Sequence, residues 1–395
     1  MTDLGRGSAR EAPEYWGLFL RWLLVLVTAA IATVQTVSAD LIRLDPQIEA
    51  AVSYDDNRLL DPNDPMPLER YSLRSNIDLS STTDRHSIVA NLAAQYVETS
   101  DEAVERSRTD LEFSVDATRD WSQLTRVGVN FDIAQQSLLD EEVFEAGVAP
   151  EDETLVRLNT GINIERTLTA RNTLGARLVR NELDFSGQTL TDVTSTTAQI
   201  QLDRMITERD QFSFDLGVRL IEPDEQADQL NANRLELGFV GVGGQHALTE
   251  KMTVQGRLQA VYIDDGNDTS VELAPELQLA YEGRRFDASA GIQRGFNASG
   301  FGGLREVDQV TAQIARRFGV QADIGMSASY LESRVFGTEN NQNTTSFGAF
   351  STLALSDEWD LSFQYRWRNQ EVFQRPEDAQ SNAFFFLLTY SPRML

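Results

Sequence analysis

Apolar and polar side chains alternate with a period of two along most of the chain that follows residue 40. Between Tyr71 and Leu79, apolar residues fall mainly at odd positions and polar residues at even positions. Successive side chains of a β-strand point to opposite faces, so this alternation predicts a strand with one apolar and one polar face. The pattern recurs in about 18 segments between Ile42 and Ser391, each about 9–13 residues long, which is the length a tilted strand needs to cross a bilayer. Weak patterning at 171–184, 233–245 and 304–318 leaves a range of about 16–18 strands.

The connections between these segments alternate in length. Short ones such as Thr83–Arg85 and Glu208–Asp210 alternate with longer, more acidic ones such as Asp55–Pro67 and Ser137–Glu153. Outer-membrane barrels have this layout, with short turns on one side of the membrane and long loops on the other. Aromatic residues near the segment ends would form two interfacial girdles, with Tyr54, Tyr96, Tyr262, Tyr330 and Trp367 on the long-loop side and Trp121 and Trp359 on the short-turn side.

The number of strands bears on how the sheet is completed. An open sheet of this size would be unusual, and the polar faces hold few bulky apolar residues with which to pack a second layer. Closing the sheet removes both edges and leaves a polar lumen. We therefore predict an all-β fold, a transmembrane antiparallel up-and-down β-barrel. The alternative is a secreted soluble β protein of several domains.

The N-terminus carries the one long apolar run of the chain. Arg6 and Arg10 precede the apolar stretch Trp22–Val34, and Val37-Ser38-Ala39 follows it. A basic region, an apolar core of this length and small residues before the cut are typical of a secretory signal peptide. The sequence therefore predicts a signal peptide over 1–39, cleaved before Asp40, and a barrel over 40–395. An uncleaved signal anchor is the alternative.

Composition excludes several other classes of protein. The chain has no cysteine and two histidines, and its net charge is −27. These values exclude disulfide scaffolds, thiolate metal sites and a multi-histidine metal site within one chain, and they disfavour a nucleic-acid partner. His86 and His246 lie beside predicted short turns, where a structural role is expected. We predict no catalytic residue, no cofactor and no specific metal site; the chain is not expected to be an enzyme.

The two ends of the predicted barrel show a family resemblance. An Asp-Asn pair closes the first segment, Ile48–Asn57, charged hairpin turns follow, and the last segment is Ala383–Pro392. The chain resembles a family of β-barrel porins found with gene sets for exopolysaccharides and exosortase-sorted (PEP-CTERM) proteins. The resemblance implies the outer membrane of a Gram-negative bacterium and a link to polysaccharide export. Outer-membrane barrels commonly end on an aromatic residue; here Tyr390 or the final Leu395 must serve as the assembly signal.

Function should lie in the lumen, which the polar face of each strand would line. A mixed lining with an excess of acids favours polar solutes and, mildly, cations. The charged residues predicted to face the lumen are Arg74, Asp78, Asp110, Glu112, Asp116, Asp132, Arg157, Arg177, Asp215, Arg219, Glu236, Arg257, Glu272, Glu276, Asp287, Asp323 and Arg366.

Three functions remain open at this stage. The first is a porin-like channel for small polar solutes, which the loop Ser137–Glu153 could narrow by folding inward. The second is a conduit or accessory barrel for exopolysaccharide export, and the third is a plugged structural or adhesion barrel. The expected partners are outer-membrane lipid and lipopolysaccharide, the barrel-assembly machinery, and small polar solutes or polysaccharide. The oligomeric state is not predicted.

Overall fold

The computed structural model describes residues 42–139, 153–187, 190–223, 234–266, 268–299, 303–319, 321–336, 341–372 and 377–392; the predicted signal peptide lies outside them. The strands β1 to β18 are, in chain order, Ile42–Asp55, Leu68–Thr82, His86–Thr99, Arg108–Ser122, Thr125–Ser137, Thr154–Thr169, Asn172–Phe185, Val193–Met205, Asp210–Pro223, Leu235–Thr249, Met252–Asp264, Thr269–Glu282, Phe286–Ser299, Gly303–Phe318, Ala322–Val335, Asn341–Ala354, Trp359–Val372 and Ala379–Tyr390. Over these residues, no helix has the length and apolar character needed to cross a bilayer.

The strands form one closed 18-stranded sheet. Consecutive strands pair antiparallel, and β1 pairs with β18 from Ile48 opposite Tyr390 to Asp55 opposite Ala383. The predicted all-β barrel is confirmed. Its 18 strands are the upper end of the predicted range. The three weakly patterned segments are strands β7, β10 and β14.

The two faces of the sheet differ in polarity as predicted. Large apolar residues remain exposed on the outer face, for example Leu73 at 55% and Leu216 at 54%. The inner face of the same strands carries polar residues such as Arg74 and Asp215. So much exposed apolar surface is unfavourable in water and suits a surface that contacts lipid.

The connections define two ends of the barrel. Short turns join β2 to β3 and every second pair that follows, while the remaining pairs are joined at the opposite end, which holds the longer loops as well as the brief β11–β12 and β13–β14 connections. Tyr54, Tyr96, Tyr262 and Tyr330 are exposed near the long-loop end, and Trp121 is exposed at a short turn. These positions agree with the two predicted aromatic girdles.

One ladder in the wall is interrupted. β12 and β13 pair only between Glu276–Glu282 and Asp287–Gln293, in the half of the barrel nearest the short turns. In the other half, β12 continues its pairing with β11 as far as Thr269, and β13 continues with β14 as far as Ser299. The end of the β13–β14 hairpin is therefore detached from β12 at the long-loop end.

Candidate functional site

The lumen of the barrel is the candidate site, and the strand registers decide which predicted residues face it. On the inner face lie Arg74, Asp78, Asp110, Glu112, Asp116, Asp132, Arg157, Arg177, Asp215, Arg219, Arg257, Glu272, Glu276, Asp287, Asp323 and Arg366. Their role in conduction is a proposal, taken up below.

Glu236 is the exception, and its predicted position was wrong. It shares a face with Val240 and Val242, which are exposed on the outside. Its carboxylate lies 3.2 Å from Arg234 Nη2. The period-two alternation predicts the wrong face for Glu236 because the apolar residues of β10 lie on the outer face in one part of the strand and on the inner face in another. Leu237 points inward near the long-loop end and is buried among apolar side chains of the lumen.

A buried ionic group lies at the long-loop end of the lumen. Glu105 has no exposed surface, and its carboxylate accepts from Arg58 Nε at 2.9 Å. Arg70 Nε lies 3.3 Å from the same carboxylate, and Arg108 also pairs with it. We call Glu105, Arg58, Arg70 and Arg108 the Glu105 cluster. A carboxylate removed from water is stable as an anion when several guanidinium groups surround it.

The Glu105 cluster brings two loops inward. The backbone N–H groups of Val104 and Glu105 both donate to the carbonyl of Asp101, so this loop makes a tight turn. Arg58 of the preceding loop donates from Nη2 to the carbonyl of Leu139 at 2.9 Å. Leu139 begins the loop that was predicted to narrow the lumen; residues 140–152 of it lie outside the described residues.

A cavity of about 440 Å³ lies against this cluster. Its wall includes Arg74, which donates from Nη2 to Glu112 Oε2 at 2.8 Å. It also includes Arg366, whose guanidinium lies 5.2 Å from the centre of the Phe385 ring. Basic, acidic and aromatic groups thus share one partly open space of the size that small ligands occupy.

A second cavity of about 700 Å³ lies along the inner face of β4 to β8. Its lining is polar and includes Asp116, Asp132, Glu165 and Arg177. Asparagine and glutamine side chains make up much of the rest, namely Asn130, Asn159, Asn163, Gln199 and Gln201. Such a wall offers many donors and acceptors to water and to polar solutes.

The glycine-rich segment 241–244 makes room for an ion pair on the inner wall. Asp215 is buried and is held by Arg257 Nη2 at 2.7 Å and by Gln259 Nε2 at 2.8 Å. A Cβ added to Gly241 would lie 2.6 Å from Asp215 Oδ1. Close packing of polar side chains therefore explains this glycine better than a bend in the barrel wall, which is the usual expectation for glycines within a strand.

The end of the β13–β14 hairpin folds into the lumen and packs against the inner face of β8 to β12. Arg219 of β9 donates from Nη1 to the backbone carbonyl of Phe296 at 2.8 Å, although three strands, β10 to β12, separate β9 from β13 along the wall. The Phe296 side chain is buried among inner-face residues of β8 to β12, including Ile221 and Ile263. The hairpin therefore narrows the long-loop half of the lumen from the side opposite the Glu105 cluster.

Several of these residues were not predicted. Arg58 and Glu105 lie in loops, where alternation carries no information about facing. Phe296 was not predicted to face the lumen. It falls on the same face of the alternation as Ile292, which is apolar and lies on the outer face, so the pattern assigns both residues to lipid. The available sequence signal was Arg108, which directly follows the loop; Arg70 comes close only through the pairing of β2 with β3.

Both histidines lie at the short-turn end of the barrel and contact residues there. His86 Nδ1 lies 2.9 Å from Thr83 Oγ1 within a short turn, and His246 pairs with Asp210 at another short-turn end. Within the described ranges, no group of three histidine or acidic side chains is placed to hold a metal ion. Two acidic residues at or near the long connections have partners of their own: Asp265 accepts from the backbone N–H of Asp268, and Asp55 pairs with Arg368.

No family model and no curated protein matches the chain. Solved structures do. OccK2 (OpdF) from Pseudomonas aeruginosa, in a crystal structure with glucuronate, aligns with 89% of this chain and 98% of its own at a TM-score of 0.52 and 9% identity. OccK3 (OpdO) from the same organism aligns with 89% and 96% at a TM-score of 0.50 and 12% identity. A BenF-like porin from Pseudomonas fluorescens Pf-5 aligns with 89% of this chain and 99% of its own, at a TM-score of 0.49 and 11% identity. At these identities the likeness shows a shared fold.

Proposed function

We propose that the chain is an outer-membrane channel for small polar solutes. The observation that carries this proposal is the closed 18-stranded barrel with an apolar outer face and a polar inner face. Only a closed barrel lets strands span a bilayer without unpaired edges. The fold shared with OccK2, whose crystal structure contains glucuronate, supports a small polar solute. Export through a signal peptide at 1–39 belongs to the same proposal, as do contacts with lipopolysaccharide and the barrel-assembly machinery.

The inward-folded elements support selection by size. The Glu105 cluster closes on one side of the long-loop half, and the β13–β14 hairpin folds in from the other side. Solutes would pass between these two elements and then enter the wider polar region along β4 to β8. We infer a channel whose narrow part lies near the long loops.

A mild preference for cations is also part of the proposal. The second cavity carries the acids Asp116, Asp132 and Glu165, with Arg177 as the basic residue among its lining. An excess of acids on a solvated wall attracts cations, and the attraction weakens as salt shortens the Debye length, which is about 10 Å at 0.1 M. The preference should therefore be strongest at low ionic strength.

The test is single-channel recording of the chain from residue 40, refolded and inserted into a planar bilayer. Heat-modifiable gel migration first verifies the folded barrel. We expect stable steps with a reversal potential that favours cations. The double substitution Glu112→Arg with Asp116→Arg should move that reversal potential toward anions, because both side chains lie on the inner face. An unmoved reversal potential would contradict the proposed role of these acids.

Glu236→Arg provides the matched control. It reverses the sign of one charge as each of the two substitutions does, but on the outer face. We expect it to leave the reversal potential unchanged. A shift as large as that of the double variant would mean that the rim charge, and not the lumen wall, sets the preference.

The exopolysaccharide conduit is retained as a second candidate because Phe385 faces the first cavity beside Arg366. An aromatic face next to hydrogen-bonding groups is suited to a sugar ring. A folded barrel that conducts no ions alone, but binds acidic oligosaccharides, would favour this function. A folded barrel that does neither would favour a plugged structural protein.

A further inference from the structure

The interrupted ladder between β12 and β13 is the starting point. From Thr269 to Pro275, β12 pairs with β11, and its ladder with β13 begins only at Glu276. Pro275 lies at the break and has no N–H to donate to another strand. Val271 pairs with Tyr262 of the long-loop girdle, so the break begins about four residues below that girdle, within the apolar belt.

The two strands overlap at this break. Ile292 of β13 lies on the outer face and is 48% exposed. Phe296, on the same face of the same strand, is 5% exposed and packs in a cluster with Leu237, Ile263 and Ala274, which belong to the inner face of β10, β11 and β12. β13 therefore passes behind β12, inside the barrel. Side-chain packing, instead of ladder hydrogen bonds, closes the wall here.

We define the seam as this overlap of the β13–β14 hairpin with the inner wall. Its buried lining is apolar, and consists of Val193, Ile221, Leu235, Leu237, Val261, Ile263, Ala274, Phe296 and Leu304. On the outside, β12 exposes Val271 and Leu273 beside the break, the latter at 55%. Apolar side chains therefore lie on both sides of β12 at the break, Val271 and Leu273 on the outside and Ala274 with the hairpin residues on the inside.

Ionic groups lie at the edge of the seam. Arg294 directly follows the last residue of β13 that pairs with β12. It donates from Nη2 to Asp308 Oδ2 at 2.7 Å. Glu306 lies 3.1 Å from Arg294 and 3.0 Å from Arg334. Apolar surfaces on both sides of β12 with charged groups beside them match a molecule that has an apolar chain and a polar head group.

We propose that the seam is a lateral portal through which the acyl chain of an amphiphile passes between the lumen and the surrounding bilayer. This inference rests on the proposed membrane-channel function. Opening the wall elsewhere would break ladder hydrogen bonds and leave unpaired backbone groups in hydrocarbon, which is strongly unfavourable. Opening the seam separates apolar side chains and breaks the single hydrogen bond from Arg219 to the Phe296 carbonyl, and an acyl chain that enters replaces the apolar contacts that are lost.

The test uses a photoreactive C16 fatty acid with a diazirine in its chain. The barrel from residue 40 is reconstituted in phosphatidylcholine vesicles with this probe, irradiated and mapped by mass spectrometry. Outward residues such as Leu258 should be labelled in any case. The portal predicts label at Leu237, Ile263 and Phe296 as well. Label confined to outward-facing residues would overturn it.

A pair of variants on β12 sharpens the test. Ala274→Glu places a carboxylate in the seam, whereas Ala280→Glu places one on the same face of the same strand within the paired part. Burying an unpaired charge costs more than about 1.4 kcal/mol, so inner-seam labelling should fall at least tenfold in Ala274→Glu. It should not change in Ala280→Glu. Equal labelling in the two variants would contradict the portal.

Two measurements separate the portal from misfolding and from the polar channel. Heat-modifiable migration identifies a variant that has not folded, and Leu237→Asn then replaces Ala274→Glu as a smaller polar change on the same surface. Swelling of the same vesicles in a small sugar reports the polar channel separately. Swelling without inner-seam label would overturn the portal alone, and inner-seam label without swelling would overturn the polar channel alone.

Discussion

At the level of single residues, Glu105 shows how a buried charge organises the lumen. Its carboxylate is fully enclosed, and the arginines at 58, 70 and 108 come from one loop and two strand ends. Each guanidinium would be costly to bury alone, and so would the carboxylate. The four groups are therefore stable only together, which ties the loop at 100–107 to the strands beneath it.

Glu105→Gln should release that loop. The substitution leaves three arginines without their shared anion, and breaking a buried ion pair costs about 3–5 kcal/mol. We expect this to appear as local opening, measured as faster backbone hydrogen exchange of residues 100–107 with slow exchange retained in the strands.

Glu102→Gln is the control in the same loop, because Glu102 is exposed. Its exchange rates should match those of the unchanged chain. Similar acceleration in both variants would show that the net charge of the loop, and not the Glu105 cluster, holds it in place.

Among the strands, β10 illustrates why a single element can change its apolar face along its length. In the middle of the strand, Val240 and Val242 face outward toward the apolar belt. Near the long loops, Leu235 and Leu237 face inward because the β13–β14 hairpin packs against them. The backbone keeps its period of two throughout; the environment on each side of the wall is what changes.

The hairpin position gives a prediction for conductance. Arg219→Ala removes the donor to the Phe296 carbonyl, a hydrogen bond from a charged group worth about 1.5–3 kcal/mol. We expect a less firmly held hairpin, seen as a larger and noisier open-channel current in planar bilayers.

Arg177→Ala is the matched control, since it also removes one positive charge from the inner face but lies on β7, where it lines the second cavity. It should change ion preference without adding noise. If both variants show the same larger and noisier current, the charge of the lumen, and not the position of the hairpin, sets the current.

For the molecule as a whole, closure joins the first and last strands. Asp55 of β1 is buried and accepts from Ser381 Oγ at 2.6 Å and Arg368 Nη2 at 3.0 Å. Beside it, Asp56 accepts from the backbone N–H of Asn382. Near the short turns, the rings of Trp359 and Tyr390 are 4.7 Å apart. The closing β1–β18 junction is therefore secured by polar contacts near the long loops, and the last two strands by aromatic packing near the short turns.

Asp55→Ala should weaken this closure. Losing the buried carboxylate leaves Arg368 without that partner, and we expect the free energy of unfolding to fall by about 3–5 kcal/mol. The measurement is guanidinium unfolding of the refolded barrel in detergent, followed by tryptophan fluorescence.

Asp45→Ala tests the same change at the other end of β1. Asp45 pairs with Arg43 in an exposed position, so its loss should alter stability by less than about 1 kcal/mol. Comparable losses in the two variants would contradict the role assigned to Asp55.

The strands, their number and the inner face of most of them could be read from the amino-acid sequence. Period-two alternation is a property of a single extended segment in contact with lipid on one side and water on the other, so it can be recognised without knowing any neighbour. The closed barrel followed from the number of strands. The signal peptide stays a prediction, as does the inward folding of residues 140–152.

What fills the long-loop half of the lumen depends on long-range packing and emerged only from the folded structure. The contacts of Glu105, of Phe296 and of Leu237 join residues far apart in the chain, and no local pattern encodes them. The misplacement of Glu236 has the same origin. Where one part of the wall packs against another, apolar residues turn inward and polar residues outward, which inverts the rule that holds in the bilayer.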